Sequence, residues 1–449
     1  MKNETFDVFV IGSGIAGQQV ADDCAEQGLK VAIADDREYG GTCANRGCDP
    51  KKVLLGVTEV IQAADRLQGK GVTNLPKLSW TAVQNFKKTF TDAIPAVTER
   101  DLKEKDITLY HQAPKFIDPT TLSVEGKTVN AQKIVIATGL IPRPLDIEGG
   151  DLALVSDDFL DQDRLPDTMV FIGAGYIGME FAHIAARFGV TVTIIDHGDR
   201  PLSNFDKDMV AYLVKASEDI GITFIFNASV TRIEALQKNK RVYYTVDDKE
   251  ASIKAERIFN TTGRVPSISK LALENGNVTY NKNGIEVDAY LQNTSNENVY
   301  ACGDVSDHAV PLTPFSGNEG AVVAQNILEG NSTKARFPVT PSVAFTLPNI
   351  ASVGLSEAAA RKQYNKVTVL NRSAAKFYNA KRINESYYAY KTIVDTDTDK
   401  ILGAHLVGPE AGEIINLFMM AIEQGITTTK LKEMIFSYPS WAGDIQYMV

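Results

Sequence analysis

The fold of this protein is decided by a glycine-rich stretch that occurs twice in the chain. Residues 6–17 read FDVFVIGSGIAG, and residues 169–178 read MVFIGAGYIG. Each copy runs from an apolar strand through Gly-x-Gly-x-x-Gly into a helix, and a second strand then ends at Asp35 or Asp196. The acid follows the first glycine by 23 positions in both copies (12 to 35 and 173 to 196). This arrangement is typical of the βαβ unit that binds a dinucleotide, so the chain is predicted to hold two such sites.

The glycines and the acid of each unit have separate tasks. Glycines let the backbone approach a pyrophosphate at the positive end of the helix, and the acid accepts the ribose hydroxyls. The predicted dinucleotide-binding residues are Gly12, Gly14, Gly17 and Asp35 in the first copy and Gly173, Gly175, Gly178 and Asp196 in the second.

Length and composition exclude several classes of protein. With 449 residues the chain is long enough for two to four domains. The net charge is −10 and no basic run is visible, so we expect no nucleic-acid partner. No stretch reaches the ~18 apolar residues of a membrane span, so we expect no membrane contact and a cytoplasmic location. No metal-ligating cluster is predicted, and four cysteines are too few for a secreted disulfide framework.

The remaining segments predict further strands and helices. Helices are expected at 52–66 and 80–105, a strand at 133–137, and a β-meander from 223–226, 229–236 and 241–246. The last third predicts an α+β domain with strands at 342–345, 366–370, 386–394 and 401–407 and an amphipathic helix at 412–424. The apolar face of that helix packs either on its own core or on a second subunit.

The most informative segment for chemistry is residues 40–52, GGTCANRGCDPKK. Cys43 and Cys48 stand five positions apart, just before a helix and close to Lys51 and Lys52. A helix N-terminus and nearby ammonium groups both lower the pKa of a thiol, while Asp49 opposes them. The pair is therefore predicted to be redox-active.

With this segment the sequence resembles the FAD-dependent pyridine nucleotide–disulfide oxidoreductases, which include glutathione reductase, dihydrolipoamide dehydrogenase and mercuric reductase. The likeness covers essentially the whole chain. Besides the Cys-x4-Cys segment, it rests on Thr138-Gly139, Gly173-x-Gly175-Tyr176-Ile177-Gly178-x-Glu180, residues 262–266, residues 300–305, Leu312-Thr313-Pro314 and residues 341–346.

The resemblance implies a role for each matching residue. Asp35 would bind the ribose of FAD, and Asp304 the ribityl chain of the flavin. Cys48 would be the thiolate beside the flavin, and Cys43 the thiol that meets substrate. Lys51 would lie near flavin N5 paired with Glu180, and Tyr176 would cover the flavin where nicotinamide stacks. The other residues expected at the cofactors are Gly41, Thr42, Thr138, Gly139, Gly263, Arg264, Gly303 and Thr313.

The sequence also departs from the family pattern. The disulfide reductases usually end in His-Pro-Thr-x-x-Glu, whose His exchanges protons with the interchange thiol in the partner's site. Here Tyr438 stands at the His position and Gly443 at the Glu position, with Asp444 one residue later. Tyr438 is therefore a candidate hydrogen-bond donor in place of the acid–base His, or only a packing residue.

The resemblance implies an α/β fold with two doubly wound nucleotide-binding domains and a C-terminal α+β dimerisation domain in a homodimer. The expected domains are 1–143 (FAD, first part), 144–266 (NAD(P)), 267–335 (FAD, second part) and 336–449 (dimerisation). Electrons would pass from NAD(P)H through flavin and the Cys43–Cys48 disulfide to a disulfide acceptor of unknown identity. NADH is favoured because Asp196 repels a 2′-phosphate. A diaphorase-like reductase of quinone, metal ion or dioxygen and a low-turnover redox sensor remain alternatives.

Overall fold

The computed structural model of the chain describes residues 4–308 and 310–449. Its α-helices are α1 (Ile15–Glu26), α2 (Gly41–Arg46), α3 (Cys48–Arg66), α4 (Trp80–Thr91), α5 (Ile94–Glu104), α6 (Ser156–Leu160), α7 (Tyr176–Arg187), α8 (Lys207–Asp219), α9 (Thr313–Glu329), α10 (Glu357–Gln363), α11 (Tyr378–Arg382), α12 (Ala411–Glu423) and α13 (Thr428–Glu433).

The β-strands of the described residues are mostly short. They are β1 (Glu4–Ile11), β2 (Val31–Ala34), β3 (Thr108–Tyr110), β4 (Lys115–Asp118), β5 (Thr121–Val124), β6 (Lys127–Ile136), β7 (Leu140–Pro142), β8 (Thr168–Ile172), β9 (Thr191–Ile195), β10 (Thr223–Ile225), β11 (Ser229–Ala235), β12 (Lys240–Val246), β13 (Lys249–Ala255), β14 (Arg257–Asn260), β15 (Arg264–Pro266), β16 (Tyr280–Asn281), β17 (Gly284–Ile285), β18 (Val299–Ala301), β19 (Ser342–Ala344), β20 (Asn349–Gly354), β21 (Val367–Ser373), β22 (Ala389–Asp395) and β23 (Ile401–Gly408).

The chain divides into two compact units. Unit 1 contains 1–53, 84–143 and 263–336, and unit 2 contains 54–83, 144–262 and 337–449. The division into four domains stays a prediction, since this division by compactness gives two units.

Unit 1 is built on a seven-stranded sheet with the strand order β3-β2-β1-β6-β5-β4, in which β18 also pairs with β6. Strands β3, β2, β1, β6 and β18 are parallel, and β4 and β5 are antiparallel additions. Residues 8–11 of β1 are all buried, as expected for a parallel strand covered on both faces. The predicted first βαβ unit is confirmed, with Gly12 at the end of its first strand.

Unit 2 holds the second βαβ unit in the parallel sheet β10-β9-β8-β14. It also holds the antiparallel sheet β11-β12-β13 and the five-stranded antiparallel sheet β19-β20-β23-β22-β21. The predicted fold class, two nucleotide-binding α/β parts and a C-terminal α+β part, is confirmed.

Three details of the secondary-structure prediction were wrong. The helix expected over 80–105 is two helices, because Pro95 lies in the first turn of α5, where its missing N–H is tolerated, and cannot lie inside a continuous helix. The meander does not include 223–225, which pairs in parallel with β9. Its third strand is β13, which escaped prediction because most of its residues are exposed and show no apolar alternation. Strand β20 was also missed.

Helix α12 packs on its own domain. Ile414 and Phe418 are buried in the core that α12 shares with β20 and β23. The sequence left open whether the apolar face of α12 packs on its own core or on a second subunit. Within the described residues, it packs on the sheet of its own domain.

Candidate active site

An open cavity lies in unit 1, where β1, β2 and β6 end. Carboxyl ends of parallel strands are where α/β sheets bind their ligands. The predicted site residues that line this cavity are Gly12, Gly14, Asp35, Gly41, Thr42, Cys43, Thr138, Gly139, Arg264, Gly303, Asp304 and Thr313. The predicted residues of unit 1 that lie outside its lining are Gly17, Cys48, Lys51 and Gly263.

Glycine is required where backbone segments meet at one end of the cavity. Gly12 has φ +108°, and a Cβ there would lie 2.3 Å from the carbonyl oxygen of Ala137. A Cβ at Gly41 would lie 2.4 Å from Cα of Gly14. Any side chain at these positions would force the strand ends and α2 apart, so the sequence pattern reflects a steric need.

The carboxylate of Asp35 is held by the loops around it. Its Oδ2 accepts hydrogen bonds from the amide and hydroxyl of Ser13, at 2.8 and 2.6 Å, and its Oδ1 accepts one from the amide of Arg37 at 2.9 Å. Ser13 was not predicted as a site residue, although a hydroxyl inside the glycine pattern is a signal that could have found it. The carboxylate is thereby oriented at the cavity wall.

The two cysteines share one hydroxyl group. Oγ1 of Thr313 donates a hydrogen bond to Sγ of Cys43 at 3.2 Å and lies 3.7 Å from Sγ of Cys48. Both thiols are free, Cys43 half-buried and Cys48 exposed. Thr313, at the first turn of α9, was predicted only as a cofactor-binding residue, and the structure brings it to the thiol pair.

The surroundings give the two thiols different acidities. The hydrogen bond from Cys43, aided by Thr313 and the charge of Lys51, lowers the pKa of Cys48 to about 6, against the partial desolvation of its sulfur and the charge of Asp49. The same hydrogen bond and burial raise the pKa of Cys43 well above its usual value. These directions favour the thiolate at Cys48 and the protonated thiol at Cys43.

A partly buried carboxyl group, that of Asp304, lines the cavity, and the buried carboxyl group of Glu319 lies next to it in the structure. Burial raises the pKa of Asp304, whose Oδ1 accepts a hydrogen bond from Oγ of Ser316 at 3.3 Å. Burial, together with the charge of Asp304, raises the pKa of Glu319 to about 7. Neither Ser316 nor Glu319 was predicted, since no local pattern marks a polar residue on the buried face of a helix.

The second glycine motif repeats the geometry of the first in unit 2. A Cβ at Gly173 would lie 2.5 Å from the carbonyl oxygen of Thr261. The Asp196 carboxylate accepts hydrogen bonds from the amides of Ala174 and Gly198, both at 2.6 Å. These partners stand at the same spacing from Asp196 as Ser13 and Arg37 do from Asp35, so the duplication extends to the hydrogen bonds of the acid.

The cationic groups that follow Asp196 have other neighbours. Arg200 donates to Asp199 at 3.0 Å and to the carbonyl of Ser203 at 3.2 Å. His197 is largely exposed and lies 3.7 Å from Asp196. The Asp196 carboxylate thus remains the main charge at the end of this strand.

Tyr176 and Glu180 lie on the first two turns of α7. The Tyr176 ring is 41% exposed and stands edge-on to the ring of Phe205 at 5.7 Å. Glu180 is buried and accepts a hydrogen bond from the amide of Phe345 at 2.7 Å. Gly175 and Gly178 precede and begin this helix, so the predicted residues of the second motif lie together.

The C-terminal segment places Tyr438 at the surface of unit 2. Its side chain is 83% exposed, and its ring centroid lies 6.0 Å from that of Tyr378. Asp444, by contrast, is buried and accepts hydrogen bonds from Asn379 and Tyr388, both at 3.2 Å. Because these partners engage its two carboxylate oxygens, Asp444 resembles a structural residue rather than a replacement for the missing Glu.

No helix in the described residues 4–308 and 310–449 is long and apolar enough to span a membrane.

Comparisons with known proteins agree with this geometry. Residues 6–325 match the family model described as pyridine nucleotide-disulphide oxidoreductase, and residues 340–449 match the dimerisation domain of the same family. Glutathione reductase of Burkholderia cepacia is 31% identical over 98% of both chains. Mercuric reductase of Lysinibacillus sphaericus is 31% identical over 98% of this chain and 82% of its own.

Among solved structures, the HOCl-induced flavoprotein disulfide reductase RclA from Escherichia coli is similar in fold. It superposes with a TM-score of 0.87 and 26% identity over 98% of both chains.

The cavity of unit 1 fits the FAD that this family binds together with NAD(P)H. Its wall offers the glycine cradle, the oriented carboxylate of Asp35 and the hydroxyl of Thr138, a buried group with no hydrogen-bond partner among residues 4–308 and 310–449. A buried hydroxyl of this kind is ready to bond a polar ligand atom. On its sequence, its fold and its thiol pair, the chain belongs to the pyridine nucleotide-disulphide oxidoreductase family, and it is a flavin-dependent oxidoreductase.

Proposed function

We propose that this protein is an NADH-dependent disulfide reductase in which Cys43 and Cys48 alternate between disulfide and dithiol. The observation that carries the proposal is the thiol pair itself: Thr313 lies between the two sulfurs, and the pKa of Cys48 is low while that of Cys43 is high. FAD, when bound, supplies the two-electron link between the nicotinamide and the thiol pair.

The chemistry at the thiols is thiol–disulfide exchange. Cys43, after loss of its proton, attacks one sulfur of the acceptor and releases the first acceptor thiolate. The Cys48 thiolate then attacks Sγ of Cys43, which re-forms the Cys43–Cys48 disulfide and releases the second acceptor thiolate. The acceptor gains two electrons and, after protonation, two protons. The hydroxyl of Thr313 stabilises whichever sulfur is anionic.

For the other predicted residues, we propose the roles that the family resemblance implies. We assign Lys51, Glu180 and Tyr176 to the flavin and nicotinamide side, Arg264, Gly263 and Gly139 to the FAD-binding walls, and Tyr438 to the acceptor. We also propose a homodimer. The match to the dimerisation domain supports it, as do the large exposed side chains of Ile435, Tyr438 and Tyr447 in the last fifteen residues.

A metal ion is the second candidate acceptor. Cu(II) complexes of RclA and of its C43S mutant have been solved. In the described part of this chain, no three His, Cys, Asp or Glu side chains are grouped to hold a metal ion. As a substrate, copper would take its electrons from the thiol pair: two Cu(II) each accept one electron and become Cu(I), while the two thiols form a disulfide and release two protons.

Glutathione disulfide is expected to be a poor acceptor. In the glutathione reductases that this sequence resembles, a Ser and two arginines hold the carboxylates of glutathione, and this chain has Ile15, Asp22 and Ala321 at those positions. Asp22 forms an ion pair with Lys105 at 3.1 Å, which reduces but does not reverse its repulsion of a carboxylate.

The test is steady-state kinetics with NADH and a panel of glutathione disulfide, other low-molecular-weight disulfides, quinones and Cu(II). We expect a disulfide other than glutathione disulfide to show the highest kcat/KM. A kcat/KM for glutathione disulfide within ~10⁴–10⁸ M⁻¹s⁻¹ would contradict the prediction, based on Ile15, Asp22 and Ala321, that glutathione disulfide is a poor acceptor. Turnover with quinone alone favours the diaphorase alternative, turnover with Cu(II) alone favours the metal-ion candidate, and slow turnover with the whole panel favours the redox sensor.

Replacing Tyr438 by Phe should slow reoxidation of the dithiol by roughly 5- to 10-fold, equivalent to ~1–1.4 kcal/mol for one lost hydrogen bond. Tyrosine, with a pKa near 10, is a poor base, but its hydroxyl can donate to a leaving thiolate. Reduction of the enzyme by NADH should be unchanged, because only the second half-reaction involves a leaving thiolate. Stopped-flow measurement of both half-reactions checks this.

Tyr447→Phe is the matched control, since Tyr447 is another exposed tyrosine of the same segment. If Tyr438→Phe reoxidises its dithiol at the wild-type rate, Tyr438 does not donate to the leaving thiolate and serves only for packing.

A further inference from the structure

Glu319 is an acidic residue buried in the second turn of α9. Its side chain is only 3% exposed, and its Oε2 accepts a hydrogen bond from the amide of Gly303 at 2.6 Å. Its Oε1 is also buried, and no hydrogen-bond partner for this atom lies among residues 4–308 and 310–449. Burying a carboxyl group is unfavourable unless its hydrogen bonds offset the lost hydration, so the bond to Gly303 is the main favourable contact.

The position of Glu319 is set by the close packing of α9 on α1. A Cβ at the next residue, Gly320, would lie 2.6 Å from the carbonyl oxygen of Ala16. A Cβ at Gly303 would lie 3.2 Å from Cβ of the same Ala16. Helix α1, helix α9 and the turn at Gly303 therefore meet around Ala16, and the Glu319 side chain has little room to adopt another direction.

The bond to Gly303 acts on a turn that reaches the cavity. Residues 303–305 form a single 3₁₀ turn, and both Gly303 and Asp304 line the cavity. Ser316, one helical turn before Glu319, donates to Oδ1 of Asp304 at 3.3 Å. One face of α9 thus holds two consecutive residues of the turn, Gly303 through its amide and Asp304 through its carboxylate.

We infer that Glu319 is a positioning residue for the flavin cofactor: by accepting the Gly303 amide, its carboxylate fixes the turn that presents Asp304 to the cavity. Asp304 is the group that meets the cofactor, and Glu319 acts through it. The inference depends on FAD occupying the cavity of unit 1, and it does not depend on which acceptor the enzyme reduces.

The experiment compares FAD affinity and stability in three variants of the apoprotein. Glu319→Ala removes the acceptor, Glu319→Asp keeps the charge but withdraws it by one methylene, and Glu319→Gln keeps a carbonyl oxygen that can accept from Gly303. Glu329→Gln, an exposed acid at the C-terminal end of the same helix, is the control. The dissociation constant is measured by quenching of FAD fluorescence, and the Tm of each apoprotein is measured separately.

We expect Glu319→Ala and Glu319→Asp to bind FAD at least ~10-fold more weakly, equivalent to ~1.4 kcal/mol, with Glu319→Gln within ~3-fold of the wild type and Glu329→Gln unchanged. Normal FAD affinity in Glu319→Gln would distinguish positioning of the turn from simple loss of packing.

FAD affinity within 2-fold of the wild type in Glu319→Asp, or in Glu319→Ala with only its Tm lowered, would overturn the inference. If Glu319→Ala fails to fold, the Asp and Gln variants decide the question. Because FAD binding is measured without an acceptor, failure of the proposed disulfide chemistry would leave this result unaffected.

Discussion

Replacing Cys48 by Ser is expected to abolish the thiolate–flavin charge-transfer band of the two-electron-reduced enzyme, together with disulfide turnover. The band requires a thiolate, and Cys48 is the sulfur whose pKa is lowered to about 6 by the Cys43 hydrogen bond. A serine hydroxyl does not ionise at neutral pH, so nothing replaces the lost anion. Anaerobic titration followed by absorbance measures the band, and the loss should be complete rather than partial.

The pH dependence of this band follows from the direction of the Cys48 pKa. The thiolate is the deprotonated form, so in the wild type the band should rise between pH 5 and pH 7 and stay constant at higher pH. A thiol of unperturbed pKa, ~8.5, would give its rise between about pH 7.5 and 9.5 instead. The position of the titration therefore tests the hydrogen bonds of the thiol pair as well as the identity of the thiolate.

Cys43→Ser is the matched control for Cys48→Ser. In this variant Cys48 cannot form a disulfide, so the band should be present even before reduction, while kcat for a disulfide acceptor should fall by at least ~10³-fold because no interchange thiol remains. The reverse result, a band that survives in Cys48→Ser and is lost in Cys43→Ser, would exchange the two assigned roles.

NADH should be preferred over NADPH by at least ~10-fold in kcat/KM, equivalent to ~1.4 kcal/mol. Asp196 lies at the end of β9 with its carboxylate oriented by two backbone amides, where it can accept ribose hydroxyls and repel a 2′-phosphate. Arg200, the nearest guanidinium in sequence, is engaged by Asp199 and Ser203. Specificity constants for both donors, measured with one acceptor, check this preference.

Asp196→Asn should reduce this preference, because the amide removes the negative charge while its oxygen can still accept a backbone hydrogen bond. Asp248→Asn is a suitable control, since Asp248 is exposed in the turn between β12 and β13 and its φ of 60° is one that asparagine tolerates. A preference for NADPH above ~10-fold in the wild type would refute the assignment of Asp196 to donor selection.

Local patterns explain where prediction of the secondary structure succeeded and where it was wrong. The two glycine motifs were found because an apolar strand, a glycine turn and a helix each have a signature within a few residues. The apolar spacing over 80–105 continues past the break and therefore predicts one helix, although Pro95 marks the start of a second one. Strand β13 carries little local signal, since its pairing with β12 rather than its own apolar side chains makes it a strand.

The amino-acid sequence alone was sufficient to predict two dinucleotide units, the acids at their strand ends and a reactive cysteine pair, because each depends on residues close together in the chain. The meeting of Thr313 with Cys43 and Cys48 joins residues that are 270 and 265 positions apart. The bond from Gly303 to Glu319 depends on how closely α9 packs on α1. Only the tertiary structure could supply these contacts, because hydrogen bonds between distant segments depend on packing distances that no local spacing of residues encodes.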